Sequence, residues 1–151
     1  MIRISYSQVP SKVMDCMIQT ENYVSSLTFI DKKIFGLMKT YVSVLNECAY
    51  CLDMHYKEAR AAGETDLRLY SVGLWREAVY YSAQERAILE WAESVTILQN
   101  NGQQQERVFA ALSEHFSRDE IAQLTLAVIQ INAWNRLVKS FGFEAGLHKV
   151  E

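Results

Sequence analysis

Pro10 is the only proline of the chain, so every residue beyond it keeps a backbone N–H to donate, and no pyrrolidine ring interrupts a helix. Sheet proteins with many tight turns draw on glycine and proline at each of them, and this chain has six glycines in 151 residues. The expectation is an all-α fold of long helices and short connections. At this length one domain buries roughly 70% of the surface that its unfolded chain exposes, enough to hold a core without disulfide staples. Half of the residues are hydrophobic and 22% are charged, which excludes a disordered or low-complexity chain. No repeat, linker or shift of composition divides residues 1–151, so a single domain is expected. The three cysteines then need a use other than stapling.

Helical periodicity locates the elements. Val13, Met14, Met17, Ile18, Val24 and Leu27 put a first helix over residues 11–26, just behind Pro10. Asp31 caps a second helix, which carries Ile34, Leu37, Met38, Tyr41, Val42 and Leu45 and ends near Asn46. A third covers residues 48–62 with Cys48, Cys51, Leu52, His55, Ala59 and Ala62 on one face, and Gly63 closes it. A helix over 66–79 follows. Ser82 with Glu85 forms a capping box ahead of Ile88, Leu89, Trp91, Ala92, Val95 and Leu98, and the Asn100-Asn101-Gly102 cluster stops that helix. Two more run over 104–115 and 118–140, the latter capped by Ser117 with Glu120, which gives six or seven helices. The last carries Leu124, Leu126, Val128, Ile129, Ile131, Trp134 and Leu137 around most of its circumference, so it is expected both to cross the core and to pack against another subunit.

A net charge of -3 and the absence of any Lys/Arg run remove the electrostatic footprint that phosphate-backbone binding needs, so nucleic acid is not expected as a partner. No stretch of 18 apolar residues exists, which argues against a membrane, and the segment MIRISYSQVPSK lacks an apolar region ending in a cleavage site. A cytoplasmic protein is expected. An odd cysteine count fits a reducing compartment, where paired cysteines are catalytic or metal-binding more often than structural.

The chemistry is concentrated in the segment from Asn46 to His55, where a C-x-x-C is followed by a histidine four residues after the second cysteine. On a helix Cys48, Cys51 and His55 share one face. Two thiols at that spacing can close a disulfide if they sit in the first turn, where orphan N–H groups favour a thiolate. His55, one turn beyond Cys51, can take a thiol proton, so the segment supplies a nucleophile, a resolving thiol and a base. Zinc is an alternative, with Cys48, Cys51 and His55 as three of four ligands, but no second C-x-x-C or H-x-x-x-H completes a structural site. Buried structural thiols are another, and that is the reading for Cys16, alone at a core-like position. His115, beside a helix end, and His148, in the tail, read as solvated.

The longer string NECAYCLDMHYKEARAAGE resembles the alkylhydroperoxidase D (AhpD-like) core motif of the carboxymuconolactone decarboxylase superfamily, whose usual form is close to N-G-C-x-Y-C-x-x-x-H. LYSVGLWREAVYYSAQERAILEWAESVT and HFSRDEIAQLTLAVIQINAWNRL resemble the family's downstream helices. The resemblance implies an AhpD-like helical protomer with a helix-mediated oligomer interface, as a trimer or hexamer, and a thiol-dependent peroxidase with no bound cofactor, metal or haem. It further implies that the Cys51 thiolate, deprotonated through His55, attacks a hydroperoxide and becomes a sulfenic acid, which Cys48 condenses to a disulfide. An external dithiol, lipoyl- or thioredoxin-type and carried by a reducing protein partner, then restores the pair.

Several positions depart from that pattern. The family's relay glutamate, twelve residues before the first cysteine, falls on Gly36, the arginine five residues later on Tyr41, the glutamine before the motif on Val44, and the glycine before the first cysteine on Glu47. Glu47, Cys51 and His55 are spaced i, i+4, i+8, so Glu47 is a possible replacement relay if the helix starts early enough, and otherwise an exposed acid at a helix N-terminus. Glu58 and Glu77 are further acids that spacing alone does not place. Tyr50, Met54, Tyr56, Trp75, Tyr80, Tyr81, Trp91 and Trp134 are an aromatic and thioether supply for an access channel, or for the core. Asn132 and Asn135, on an apolar helix, need buried partners and read as fixing helix register. The alternative to a peroxidase is a dithiol-disulfide exchange or redox-sensing protein, motivated by Gly36. Decarboxylation of a carboxymuconolactone, which would leave the cysteine pair unused, ranks last.

Overall fold

The computed structural model describes residues 1–98 and 101–150, and among them it contains seven α-helices and no strand. They are α1 (Ser11–Ser25), α2 (Lys32–Leu45), α3 (Ala49–Ala61), α4 (Asp66–Tyr70), α5 (Ala83–Ile97), α6 (Gly102–Ser113) and α7 (Arg118–Phe141). The start signals work as local chemistry requires. Asp31 accepts from the N–H of Lys33 at 2.8 Å, and both Ser82/Glu85 and Ser117/Glu120 close complete capping boxes. Asn101 caps α6 by accepting from the N–H of Gln104 at 2.9 Å, so that helix begins at Gly102, two residues earlier than its apolar pattern predicts. Asn100, the other part of the expected stop signal, lies outside the described residues. No helix among the described residues is long and apolar enough to cross a membrane.

The expected helix over 66–79 is corrected. It ends at Tyr70, a 3-10 turn spans Val72–Leu74, and the rest is a loop held by side chains. Ser71 Oγ donates to the carbonyl of Leu67 at 2.5 Å, and Arg86 donates to the carbonyls of Tyr81, Arg76 and Ala78. Beyond Tyr70 the Arg86 guanidinium thus supplies donors from a distance to carbonyls where helical spacing anticipates an i−4 ladder.

α7 crosses the centre. Leu124, Ala127, Val128 and Ile131 have no exposed surface, and α7 packs against α1, α2, α3, α5 and α6. Its apolar circumference is therefore largely used within this one chain, with Ile129 left half exposed. α2 and α3 approach closely at Gly36, where a Cβ would stand 2.8 Å from the Cβ of Ala59. That contact leaves no room for a glutamate at position 36, which accounts for the residue found there. Cys16 is exposed, not in the core. α1 buries Val24 and half-buries Met14, Met17 and Thr20, and Cys16 falls off that stripe.

Candidate active site

The site hangs from the end of α2. Glu47 returns its N–H to the carbonyl of Val44 at 3.0 Å and Cys48 its N–H to that of Ser43 at 2.9 Å, the two bonds of a Schellman turn. Such a turn needs one left-handed residue, and Glu47 supplies it with φ 52° where glycine would sit without strain. The two buried asparagines of α7 fix the preceding residue: Asn46 Nδ2 donates to Oδ1 of Asn132 at 2.9 Å and of Asn135 at 2.8 Å. Lys139 Nζ adds a bond to the Asn46 carbonyl at 2.7 Å. The expected structural use of Asn132 and Asn135 thus acquires an address, the turn that delivers Cys48.

Cys48 is the N-cap of α3, with Sγ accepting from the N–H of Cys51 at 3.4 Å. The two cysteines are joined in a disulfide with Cα atoms 5.3 Å apart, a span within the ordinary range. Both are buried, and their apolar neighbours are Val138, Tyr50, Leu137 and Phe143. Among the described residues no group of three or more His, Cys, Asp or Glu side chains is arranged to hold a metal ion.

One turn beyond Cys51, His55 is 3% exposed and its Nδ1 lies 3.1 Å from Oε2 of Glu58. Burial lowers the His55 pKa below its ordinary value and Lys39 adds to the effect, outweighing the upward pull of Glu58. Glu58 is pushed upward by burial, but its bond to His55 and the nearby Lys39 charge hold its carboxyl below the usual range. A neutral imidazole that donates Nδ1–H to a carboxylate follows, with the lone pair on Nε2. Nε2 is buried and has no hydrogen-bond partner. Cys51, one turn back on the same helix, has no S–H to donate while its sulfur is held in the disulfide.

Cys51, His55 and Glu58 line a cavity of about 390 Å³ together with Tyr6, Glu21, Ser25, Lys39, Tyr50, Met54, Trp134 and Val138. Of the expected channel residues, Tyr50, Met54 and Trp134 stand here, whereas Trp75, Tyr81 and Trp91 belong to the core. Tyr56 packs beside the core and donates to Asp66 at 2.6 Å, and Tyr80 bonds Ser71 at 2.6 Å. On the opposite wall Lys39 Nζ and Trp134 Nε1 both reach Glu21, at 3.3 and 3.0 Å. Tyr41, at the family's arginine position, donates to Glu93 at 2.7 Å, and burial together with Glu93 pushes its pKa up to about 12.

The structure separates Glu47 from this cavity. α3 starts at Ala49, so the i, i+4, i+8 spacing does not apply, and Glu47 is exposed and lines another cavity of about 330 Å³ with Cys48 and Arg3. Glu77 is exposed as well. Glu58 is the acid brought to the histidine, three residues further along the same helix. Sequence reasoning missed Tyr6, Glu21 and Lys39, which come from elements distant in the chain, and misread His148, which is half-buried with Nε2 3.7 Å from Oε1 of Glu58.

The profile of the Carboxymuconolactone decarboxylase family matches residues 13–94, which contain the thiols, His55 and Glu58. The chain belongs to this family. YdfG of Bacillus subtilis, an uncharacterised protein, is 34% identical over 143 residues, which cover 95% of this chain and 96% of that one. ATU0492 of Agrobacterium tumefaciens, a protein of unknown function suggested to be the antioxidant defence protein AhpD, has a crystal structure that superposes with TM-score 0.88 at 34% identity, over 98% of this chain and 100% of that one. A peroxidase-related protein with an alkylhydroperoxidase AhpD core, from Ralstonia eutropha, has the same fold at TM-score 0.77 and 18% identity, covering 91% of this chain and 72% of that one. This member of the Carboxymuconolactone decarboxylase family is AhpD-like in fold, and its cysteine pair lies within the family match.

Proposed function

We propose that the protein is a thiol-dependent peroxidase that reduces hydroperoxides through a Cys48–Cys51 cycle, in antioxidant defence. One observation carries the reading: Cys51 and a neutral His55 oriented by Glu58 share a cavity with mainly apolar walls. In the reduced protein His55 Nε2 takes the Cys51 proton, and the thiolate attacks the distal oxygen of ROOH. The O–O bond breaks, the alkoxide takes a proton to become ROH, and Cys51 becomes a sulfenic acid. The Cys48 thiol attacks that sulfur, water leaves, and the disulfide forms. An external dithiol, lipoyl- or thioredoxin-type, on a reducing protein partner exchanges twice to restore both thiols and leaves as its own disulfide. Tyr50, Met54 and Trp134 favour an organic hydroperoxide.

A cytoplasmic location, where dithiol donors are kept reduced, suits this cycle. Tyr70, Leu74 and Val79 are strongly exposed and supply apolar surface for a homo-oligomer, a trimer or hexamer. The test is consumption of cumene hydroperoxide by the reduced protein with dihydrolipoamide as donor. Turnover lost in Cys51→Ser is expected. Efficient dithiol-disulfide exchange without peroxide turnover would instead establish the second reading, an exchange or redox-sensing protein, favoured by the absence of a glutamate at Gly36.

A further inference from the structure

The C-terminal segment folds back along α3 and brings a second imidazole to the carboxylate that orients His55. Lys57 Nζ donates to the carbonyl of His148 at 3.0 Å, and the N–H of Gly146 donates to Asp53 Oδ2 at 3.1 Å. Both anchors are half-buried residues of α3, one turn apart. They place His148 Nε2 3.7 Å from Glu58 Oε1, while Glu58 Oε2 holds His55 Nδ1 at 3.1 Å. Each carboxylate oxygen therefore faces a different imidazole. His148 Nε2 is itself buried and makes no hydrogen bond, so the nitrogen nearest the carboxylate is held in reach but left uncommitted.

We infer that His148 is the outer member of a proton relay, His55–Glu58–His148, which connects the buried thiol site to water in place of a glutamate at position 36. The inference rests on the peroxidase reading for its role in turnover. When His55 Nε2 accepts the Cys51 proton, Nδ1 releases its own to Glu58, and a small rotation of the Glu58 carboxyl passes it to His148 Nε2, which exchanges it with solvent. The same path returns one proton for the departing alkoxide, so no net charge stays in the site. Histidine suits the outer position because an imidazole can accept a proton at one ring nitrogen while releasing one from the other.

The surroundings set the charge on the relay. Glu58 faces His55 from α3, Lys39 from α2 with its partner Glu21 from α1, and His148 from the tail. His148 in turn faces Asp53 and Lys57, themselves paired at 2.7 Å. One carboxylate thus lies beside each end of the Glu58 environment with a lysine to balance it.

The experiment follows Cys48–Cys51 disulfide formation in the reduced, full-length protein by stopped flow in dilute buffer, with cumene hydroperoxide and separately with oxidised lipoamide as oxidant. Both oxidants require removal of the Cys51 proton. His148→Gln, which keeps a polar side chain but cannot pass a proton from one ring nitrogen to the other, is expected to slow both reactions about 3- to 10-fold. His148→Ala is expected to regain rate as free imidazole is added. Wild-type rates in His148→Gln at every pH, or slow variants that imidazole does not restore, would overturn the relay. Should the wild type react with oxidised lipoamide but not with peroxide, the peroxidase reading falls and the lipoamide arm alone decides on His148. Thiols that survive both oxidants overturn both.

Discussion

Two polar clusters use nearly the same ingredients and do opposite things. In the first, Arg68 on α4 binds Glu64 at 2.9 Å and also Glu85, which closes the capping box of α5, and it donates to the Tyr80 carbonyl at 2.6 Å. None of the buried nitrogens and oxygens of these side chains lacks a partner. In the second, His55 and Glu58 stand beside Lys39 and Glu21 in the wall of a cavity of about 390 Å³, and His55 Nε2 and His148 Nε2 are left without hydrogen bonds. Saturation makes the first cluster a brace. Open valences beside a cavity make the second a site, because a buried nitrogen with no partner is costly unless a reacting group completes it.

The comparison breaks most visibly at the thiol. Cys51→Ser is expected to reduce peroxide consumption to the uncatalysed background while leaving the denaturation midpoint little changed, measured by coupled turnover and urea titration. Arg68→Met should do the reverse. Removing one member of a buried ion cluster strands two carboxylates and costs about 3–5 kcal/mol of stability, while the surviving folded fraction keeps its rate of disulfide formation. Glu58→Gln is expected to slow that rate about 10- to 100-fold, as loss of a group that orients a working histidine does, and to change stability by less than about 1 kcal/mol because its side chain is 42% exposed.

Acid separates the clusters by their pH windows. Burial lowers the His55 pKa from 6.5, so the unfolded chain binds a proton that the folded one does not, and stability falls as pH drops below about 6.5. Glu85 is pushed upward by burial but held below its ordinary 4.5 by Arg68 and Ser82, so its contribution is present above that value and lost at lower pH. Urea midpoints against pH should therefore show two descending steps, and His55→Asn should remove the upper one only. The smallest effect is at the turn: Glu47→Gly relieves a left-handed φ and should add about 0.5–1 kcal/mol. Glu47→Gln should leave the rate of disulfide formation unchanged.

What was readable in the chain was what neighbouring residues decide among themselves. Ser82 with Glu85 and Ser117 with Glu120 start their helices, and Cys48, Cys51 and His55 share a helical face, because each relation spans one turn. Glu58 was within the same reach, yet which acid would meet His55 depended on where α3 begins, and the Schellman turn at Glu47 decides that. The helix over 66–79 fails because Arg68 and Arg86 satisfy carbonyls from a distance. Cys16 was misplaced because the spacing of apolar residues on α1 does not tell which face α7 will cover. His148 was unreadable for a simpler reason: its position over Glu58 exists only after the tail has folded back onto Asp53 and Lys57, 93 and 91 residues earlier in the chain than the Gly146 and His148 they bond.

Mass spectrometry of the reduced protein after one equivalent of cumene hydroperoxide tests the central claim most directly. The account predicts one cumyl alcohol per chain, a Cys48–Cys51 disulfide, and a Cys16 thiol that remains open to alkylation. Three alkylated cysteines and unconsumed hydroperoxide would contradict it.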